Sequence, residues 1–450
     1  MITASYSGDF DHSTSSGMSA VTVTSSGGGD WTSFTLDSSN SRYQASSTIT
    51  SANVGQITQK WVISTPYSVT STPVVLGGNV YFADWGGNVY SASVSTGQVN
   101  WEVNLGYVPI TSTLLLANGM VYVGDGSGPP GGQAVLFALS QTDGHVVWST
   151  QLDTDEYAVF ASPIIFNGMV YIGVATNGSE TDTSLVGKVF AVNATTGHVN
   201  WSFTASIGNT GGAGVWGSVA IDPSLDSIYF GTSNAYGPGT DSLYSYSIMS
   251  LNARTGSLNW YYQAYNSLSS GGDLDFGSTP NLFSVVVNGV THAAIGLGGK
   301  DGVYYVLDRV TGSLLEKFQI GTGSGEGGII GLPGFIYLGT NNPELFIGSY
   351  NTVVGGDYGV MKALTPATGS IDWAFNTPGT IVGSVVVVPG AVVFGDESGN
   401  VFALSTGSGS QLFHTSVPGS VLGGVSAAEG LLFVPMSFGT GGTGGVYAYG

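Results

Sequence analysis

The chain has 450 residues, 42% of them hydrophobic and 72 of them glycine, without a Gly-X-Y period. This composition excludes a collagen-like fibre and favours an all-β chain, because frequent glycine between short apolar runs marks tight turns. The 28 acidic and 8 basic residues give a net charge of −20 at pH 7, which argues against nucleic-acid binding because no basic stripe is available to neutralise phosphates. There is no cysteine, so disulfides, thiolate metal sites and thiol nucleophiles are excluded.

The content of charged residues is low, at 8%, whereas roughly a quarter is typical of soluble proteins. Below roughly pH 4 most carboxylates are neutral, and the 8 Lys and Arg with the 5 His then leave at most 13 positive charges. So small a charge limits self-repulsion, and the composition therefore favours a protein exposed to acid. The alternative is a secreted protein of neutral medium with a Ser- and Thr-rich surface. No apolar run of about 18 residues predicts a membrane span.

The first part of the chain, residues 1–29, is polar, and we expect it to be a flexible N-terminal segment preceding one domain over residues 30–450. One pattern then recurs: a short strand resembling Val-Tyr-Ala-Leu, a turn ending in Thr-Gly, and an apolar residue before Trp. The copies are Asn88–Trp101, Ala134–Trp148, Lys188–Trp201, Ser247–Trp260 and, more weakly, Val303–Glu316, Val360–Trp373 and Val401–Phe413. Their turn glycines are Gly97, Gly144, Gly197, Gly256, Gly312, Gly369 and Gly407.

An eighth copy is divided between the two ends of the chain. The strand Gly445–Gly450 lacks its turn and Trp, and Gln59–Thr65 contains a Trp without a preceding repeat strand. Ends that complete one blade between them close a ring and remove exposed sheet edges. The sequence therefore predicts an all-β, eight-bladed β-propeller whose N- and C-terminal strands share one blade. The repeated Trp residues are expected to fill the gaps between neighbouring blades.

Two carboxylates and a lysine are the candidates for chemistry. Asp273 and Asp275 lie at i and i+2 in the segment DLDFGSTP, so on an extended backbone they project to the same face. One of them is then able to stay ionised while its neighbour holds a proton, although Asp in β-rich chains also serves in turns and caps. Lys300 and Asp301 precede a strand, where a basic side chain is able to reach the centre of the ring.

Several longer motifs resemble the pyrroloquinoline-quinone propeller superfamily over nearly the whole chain from Trp31. They are the opening segment from Asp30 to Trp61, WGSVAIDP at Trp216–Pro223, YFGTSN at Tyr229–Asn234, DLDFGSTP at Asp273–Pro280 and KDGVYYVLDRVTG at Lys300–Gly312. In the dehydrogenases of this superfamily a calcium ion and the quinone occupy the central funnel.

The resemblance also implies roles for single residues. Asn234 matches the metal-binding Asn, Asp275 the catalytic Asp, Lys300 a basic residue that contacts the quinone, and Trp216 the ring on which the quinone lies. Glu180 matches the metal-binding Glu, at a longer spacing to the following glycine. The match is incomplete, because the chain has no vicinal cysteine pair and no Pro-Trp around Asn234.

The acid-adapted composition joined to the superfamily match favours a hydrolase resembling the tetrathionate hydrolases of acidophiles. That resemblance implies an extracytoplasmic enzyme that cleaves the S–S chain of a small anionic sulfur compound without any cofactor or metal, and a homodimer is the expected oligomer. Asp275, with Asp273, would act as general base or nucleophile. Lys300, Asp301, Asn234 and Trp216 would bind the substrate.

Two alternatives stay open. The first is a dehydrogenase of alcohols or sugars that depends on pyrroloquinoline quinone and Ca²⁺, with Glu180, Asn234, Asp275 and Lys300 holding the cofactors. The second is a non-catalytic propeller resembling the outer-membrane assembly lipoproteins of the same architecture.

Overall fold

The structure is a computed structural model of the chain. It describes residues 2–6, 15–19, 29–106, 109–125, 133–153, 157–176, 182–205, 211–236, 243–265, 273–325, 327–339, 341–351, 356–439 and 442–450. In these ranges the chain is built almost wholly of antiparallel β-strands, with one 3₁₀ turn at Val54–Gln56. The sheets form the eight blades of a β-propeller, as predicted.

Each blade consists of four antiparallel strands, which we number from the inner strand near the axis of the ring to the outer strand at its rim. Blade 1 consists of Val74–Leu76, Asn79–Ala83, Asn88–Ser93 and Val99–Asn104, and blade 2 consists of Leu115–Ala117, Met120–Asp125, Ala134–Ser140 and Val146–Asp153. Blade 3 consists of Ile164–Phe166, Met169–Thr176, Lys188–Asn193 and Val199–Thr204. Blade 4 consists of Ala220–Asp222, Ser227–Gly231, Ser247–Asn252 and Leu258–Gln263. Blade 3 carries an additional short strand, Tyr157–Ala158, paired to its second strand. A separate pair of strands, Ile2–Tyr6 and Ser15–Ser19, lies near the N-terminus.

The remaining blades follow the same order. Blade 5 consists of Asn281–Val287, Val290–Gly298, Val303–Asp308 and Leu314–Gln319. Blade 6 consists of Gly334–Ile336, Glu344–Asn351, Tyr358–Thr365 and Ser370–Thr377. Blade 7 consists of Val386–Val388, Ala391–Gly395, Asn400–Ser405 and Gln411–Ser416. Blade 8 has Ser426–Ala428, Leu431–Ser437 and Gly444–Tyr449 from the C-terminal part of the chain, and Gln59–Thr65 as its outer strand. The predicted closure by a shared blade is confirmed.

The burial of each strand explains its residue pattern. The third strand Asn88–Ser93 is buried at almost every position, because neighbouring blades cover both of its faces, and such strands read as continuous apolar runs. The outer strand Val99–Asn104 alternates between exposed and half-buried residues, as expected at a rim with one solvated face.

The repeated Trp residues join neighbouring blades, which confirms their predicted structural role. The Trp61 indole N–H donates to the Val94 carbonyl at 2.8 Å, and the Trp260 N–H donates to the Arg309 carbonyl at 3.1 Å. Each ring packs on the turn glycine of the next blade, which has a positive φ and leaves no room for a Cβ. These ring and glycine pairs are Trp61 with Gly97, Trp101 with Gly144, Trp148 with Gly197, Trp201 with Gly256, Trp260 with Gly312, Phe318 with Gly369, and Trp373 with Gly409.

Two of these pairs differ from the sequence prediction. In blade 5 the ring is Phe318, two residues beyond Glu316, which occupies the position of the repeat Trp. In blade 7 the turn glycine against Trp373 is Gly409, with φ of +67°, and a Cβ on Gly407 would meet no atom within 4 Å. The Thr-Gly-Ser-Gly sequence of that turn contains two glycines, and only the structure shows which one adopts the left-handed conformation.

A segment before blade 1, residues 29–50, crosses one face of the ring; we call it the cap segment. Trp31 forms a β-bridge with Val75 of blade 1, and the Asn40 side chain donates to the Pro280 carbonyl at the start of blade 5. Blades 1 and 5 lie opposite each other in an eight-bladed ring, so the cap segment passes over the central axis. Phe34 of this segment lines the central channel.

The cap segment is attached by a fully buried arginine. The Arg42 guanidinium donates to the carbonyls of Phe34, Val385 and, at 2.7 Å, Val425, and it lies 4.9 Å from the centre of the Trp31 ring. Burial, opposed by the charge of Asp37, lowers the pKa of Arg42 to about 9. One side chain thus connects the cap segment with blades 7 and 8.

Candidate functional site

The candidate residues lie on the face of the ring opposite the cap segment. The cap segment contacts the inner strands and the turns that follow them. Trp216 and the Asp273–Asp275 segment precede the inner strands of blades 4 and 5, whereas Asn234 and Lys300 follow the second strands of the same blades. Because the strands are antiparallel, both kinds of connection meet at one face, and the fold brings these residues together.

Lys300 is the centre of the site. Its Nζ lies 2.8 Å from Asp273 Oδ2 and 3.1 Å from Asp275 Oδ1, and the lysine side chain is only 13% exposed. Although burial acts to lower the pKa of Lys300, Asp275 and Asp273 together raise it above its ordinary value. Lys300 therefore stays cationic at neutral pH between the two carboxylates.

Asp275 is the more deeply buried carboxylate of the pair. Its Oδ2 accepts a hydrogen bond of 3.1 Å from Trp216 Nε1, and its Oδ1, close to Lys300 Nζ, has no hydrogen bond of acceptable geometry within the described residues. Burial raises the pKa of Asp275 to about 6, although the charge of Lys300 acts to lower it. A carboxylate in this pKa range accepts a proton readily near neutral pH.

Trp216 forms an aromatic wall beside these charges. Lys300 Nζ lies 5.1 Å from the centre of the Trp216 ring. A Cβ on Gly277 would lie 1.8 Å from Trp216 Cη2, so only glycine allows the ring to lie where it does. The Nε1 bond to Asp275 and the close contact with Gly277 together hold the ring in one orientation.

The site opens into a cavity of about 320 Å³, which is within the range of small-molecule sites. Trp216, Asn234, Asp273, Asp275 and Lys300 all line it. It adjoins the central channel, about 250 Å³ in volume, because Trp216 borders both spaces. The fold therefore brings five of the predicted site residues to one cavity, and their roles stay predictions.

Asp301 and Glu180 are the remaining predicted site residues. The Asp301 carboxylate does not line the cavity; it accepts hydrogen bonds from the hydroxyls of Tyr265 and Tyr305. Glu180 lies outside the described residues. The sequence analysis did not select Tyr265 or Tyr305, and no spacing signal in the chain connects Tyr265 with Asp301.

Within the described part of the chain, no group of three or more His, Asp or Glu residues has the arrangement of a metal site. No described helix is long and apolar enough to cross a membrane. Side-chain oxygen atoms beside the cavity include those of Asn234 and of the two carboxylates. Asn234 is buried, and no side-chain hydrogen bond of its amide is found among the described residues.

Comparison with protein families gives two matches. Residues 141–319 match the family model described as the β-propeller domain of glucose/ethanol/alcohol dehydrogenase, and residues 356–449 match the model of the outer membrane protein assembly factor BamB. The first match contains every residue that lines the candidate site from blades 3 to 5.

Curated relatives are similar over most of this chain but are longer. The quinohemoprotein alcohol dehydrogenase ADH IIB of Pseudomonas putida is 27% identical over 351 residues, which are 66% of this chain and 49% of that protein. The polyvinylalcohol dehydrogenase of a Sphingopyxis species is 24% identical over 441 residues, 82% of this chain and 64% of that protein. The chain spans about half the length of the first of these relatives.

Solved structures show the same fold. A europium-containing methanol dehydrogenase has a TM-score of 0.78 at 17% identity, covering 94% of this chain and 98% of its own. The quinohemoprotein alcohol dehydrogenase of Comamonas testosteroni has a TM-score of 0.77 at 19% identity, and the match covers 93% of this chain and 80% of that chain. BamB from Moraxella catarrhalis reaches 0.58 at 17% identity, covering 87% and 99%.

These comparisons correct the functional prediction. The expectation of an acid-active tetrathionate hydrolase that needs no cofactor is wrong, because the matched relatives are quinone-dependent alcohol dehydrogenases. The prediction failed for a physical reason. A low content of surface charge depends on the surrounding medium, and a Lys–Asp pair in a funnel is able to serve more than one reaction. Neither observation distinguishes between the chemistries that one propeller supports. Fold, repeats and matched structures agree that the chain is an eight-bladed β-propeller of the pyrroloquinoline-quinone type.

Proposed function

We propose that this propeller binds pyrroloquinoline quinone with Ca²⁺ in the cavity beside Lys300 and oxidises alcohols. The observation that supports the proposal is the convergence of Trp216, Lys300, Asp273 and Asp275 on one cavity of about 320 Å³. The similarity to quinohemoprotein and quinone alcohol dehydrogenases supports the same class of reaction.

The residues of the cavity fit a flat, anionic quinone. Trp216 offers an aromatic ring held by Gly277 and Asp275, and flat aromatic systems stack on such rings. Lys300 provides a buried positive charge for carboxylate or carbonyl oxygens. The chain has no cysteine, so any cover over the other face of the quinone must come from different side chains.

The cavity also offers ligands of the kind that Ca²⁺ prefers. Ca²⁺ takes oxygen donors from carboxylates and amides. Asp275 Oδ1 is a buried carboxylate oxygen without a hydrogen-bond donor of good geometry, and the Asn234 amide lines the same cavity. We propose these two residues as its protein ligands, with Glu180 as a third.

In this proposal Asp275 acts as the general base that removes the hydroxyl proton of the alcohol. Its raised pKa, about 6, leaves it ionised above that pH and basic enough to accept a proton. Lys300 stabilises negative charge that develops beside it, and Asp273 holds Lys300 in place through the 2.8 Å contact. The quinone, when bound, supplies the two-electron acceptor, and Ca²⁺ supplies Lewis acidity.

Reconstitution of the purified chain tests the proposal. We expect saturable binding of pyrroloquinoline quinone in the presence of Ca²⁺, and dye-linked oxidation of primary alcohols that requires both. Asp275→Asn should lower kcat by about 10²- to 10⁴-fold, the usual contribution of a general base. Asp226→Asn, on the opposite face of the ring, is the matched control and should leave kcat unchanged. Absence of quinone binding by the unaltered chain would refute the proposal.

The same assay assigns the two carboxylates. Asp273 has a side chain 33% exposed, compared with 4% for Asp275, and is the more accessible of the two. If Asp273 only holds Lys300, Asp273→Asn should lower kcat less than Asp275→Asn does. The reverse order would transfer the role of base to Asp273.

We further propose an extracytoplasmic location and an acidic medium, on the ground that only 8% of the residues are charged. A homodimer is proposed from base rates alone. Light scattering of the purified chain measures its mass in solution, and a monomer over the whole concentration range would exclude the dimer.

A further inference from the structure

Asp301, the residue after Lys300, carries a buried carboxylate that points away from the cavity. It is only 7% exposed. Its Oδ2 accepts hydrogen bonds from the hydroxyl of Tyr265 and, at 2.6 Å, from that of Tyr305, while its Oδ1 accepts the backbone N–H of Val303 at 3.1 Å. Three donors therefore compensate the burial of this charge, which would otherwise be costly. We call Asp301, Tyr265 and Tyr305 the Asp301 clamp.

The Asp301 clamp connects two blades at the site. Tyr265 follows the outer strand of blade 4, on the connection that continues to Asp273, and Tyr305 lies in the third strand of blade 5. The two hydroxyl oxygens are 3.3 Å apart. The Tyr305 ring also makes an edge contact, with centres 5.4 Å apart, with Phe276, the neighbour of Asp275. The clamp thus contacts both chain segments that carry the reactive charges.

The backbone between the clamp and the site is short and is held by hydrogen bonds. The Lys300 N–H donates to the Asp275 carbonyl at 2.9 Å, and Gln319 Nε2 donates to the Asp301 carbonyl at 2.8 Å. A shift of Asp301 therefore moves Lys300, its chain neighbour, relative to Asp275.

We propose that Tyr265 and Tyr305 are positioning residues, which fix Lys300 against Asp275 by holding the carboxylate of Asp301. Burial, followed by the charge and hydrogen bonds of Asp301, raises the pKa of both tyrosines above the ordinary value. Both hydroxyls therefore remain donors throughout the neutral range. The rings alone would satisfy the packing, so the hydroxyl groups are the parts that serve the site.

Amide hydrogen exchange on the protein without quinone or metal tests this inference. In Tyr305→Phe and Tyr265→Phe, we expect exchange at the Lys300 and Val303 amides to accelerate by about tenfold or more, since a bond to a buried charge is lost. Amides further along the third strand of blade 5, such as Val306, should keep their rates. Tyr261→Phe is the matched control. Tyr261 lies in the outer strand of blade 4, just before Tyr265 in the chain, and it is 39% exposed.

A selective acceleration at Lys300 and Val303 supports the positioning role. Unchanged exchange at both amides would overturn it, and so would an equal acceleration throughout blade 5, which would indicate a loss of general stability only. These measurements need no cofactor, so they decide on the clamp even if the proposed dehydrogenase activity is absent.

A second measurement rests on the proposed function and applies once quinone-dependent turnover is established. Misplacement of Lys300 should lower kcat by roughly tenfold while the KM for the alcohol changes by less than about twofold, because a small displacement of a charged group weakens stabilisation of the transition state. A higher KM with an unchanged kcat would contradict the positioning of Lys300. Tyr261→Phe should leave both constants unchanged.

Discussion

At the scale of single residues, the burial of Asp275 governs how the proposed reaction depends on pH. Burial raises its pKa to about 6, and a general base acts only when deprotonated. We therefore expect kcat/KM to rise with pH and to level off above a midpoint of about 6 or lower, because Ca²⁺ held by the same carboxylate lowers its pKa. A rate profile between pH 4 and 9 measures this midpoint.

The variants make this profile specific. Asp275→Asn should remove this rise along with most of the activity, and Asp226→Asn should keep it. Because Asp275, Asp273 and Lys300 interact, the midpoint belongs to the group rather than to one carboxyl. A profile that is highest below pH 5 would contradict the assignment of Asp275 as base.

The residues that line the cavity could be selected from the sequence, and those that support them could not. Trp216, Asn234, Asp275 and Lys300 occur in extended motifs, so resemblance identified them. Asp301 was grouped with Lys300 by adjacency, although the two residues lie in a tight turn between strands and their side chains have different partners. Tyr265 contacts Asp301 from 36 residues away, and such a contact depends on how blades 4 and 5 meet.

At the scale of elements, the cap segment depends on Arg42. Its guanidinium satisfies three buried backbone carbonyls, and methionine would fill a similar space without any donor. We expect Arg42→Met to lower the free energy of unfolding by about 2–5 kcal/mol, since several buried acceptors lose their partner. Urea denaturation followed by Trp fluorescence measures this change.

The control for this prediction is an arginine of the surface. Arg254 pairs with Asp226 at 3.0 Å, with a side chain 64% exposed, and Arg254→Met should leave the urea midpoint almost unchanged because exposed ion pairs contribute little. Equal effects of the two substitutions would show that Arg42 does not anchor the cap segment.

Strands were easier to predict than the segments that join them. Thr-Gly turns and repeat Trp residues located the third and outer strands, since their spacing recurs. The ring that replaces Trp in blade 5, Phe318, and the glycine of the turn in blade 7, Gly409, deviate from that spacing. The path of residues 29–50 across the ring was not predictable, because it has no periodicity and its partners come from six blades.

A series of hydrogen bonds between blades around the channel was also not predicted from the sequence. The N–H before an inner strand donates to a hydroxyl of the next blade, as from Thr72 to Thr113 at 2.9 Å and from Ser162 to Ser218 at 2.8 Å. The corresponding residue of blade 6, Leu332, has no hydroxyl to accept such a bond, but its own N–H donates to the Ser384 hydroxyl at 2.9 Å. Ser and Thr are too common in this chain for the pattern to be visible without the structure.

At the scale of the whole molecule, buried carboxyls determine how stability varies with pH. Burial raises the pKa of Asp125 to about 8, and burial with the charge of Asp372 raises that of Glu344 to about 7. The folded state then binds more protons than the unfolded state between roughly pH 4 and 8, so the free energy of unfolding falls as pH rises. We expect a higher thermal midpoint at pH 5 than at pH 8, measured by circular dichroism.

Asp125→Asn serves as the check on this explanation. Its Oδ1 has no hydrogen-bond partner among the residues that the structure describes, so an amide should lessen the decline in thermal midpoint between pH 6 and 8. A thermal midpoint that rises from pH 5 to pH 8 in the unaltered chain would contradict the role of these carboxyls.

The architecture was accessible from the sequence because eight copies of one unit repeat the same evidence, and the divided copy at the two ends settled the count. The reaction was not accessible in the same way. Charge content is a property of the solvent-facing surface, whereas chemistry depends on a few atoms around Lys300. The composition therefore led to the wrong enzyme class while the motifs led to the right superfamily.

The position of the cap segment has a practical consequence. Residues 29–50 pass over the axis on one face, so we expect molecules to enter and leave the cavity beside Trp216 from the other face. The capped face is then the natural place for an anchor. A protein immobilised on an electrode through that face would keep the opening of its cavity turned toward the solution. In a protein attached through the opposite face, the electrode would block that opening.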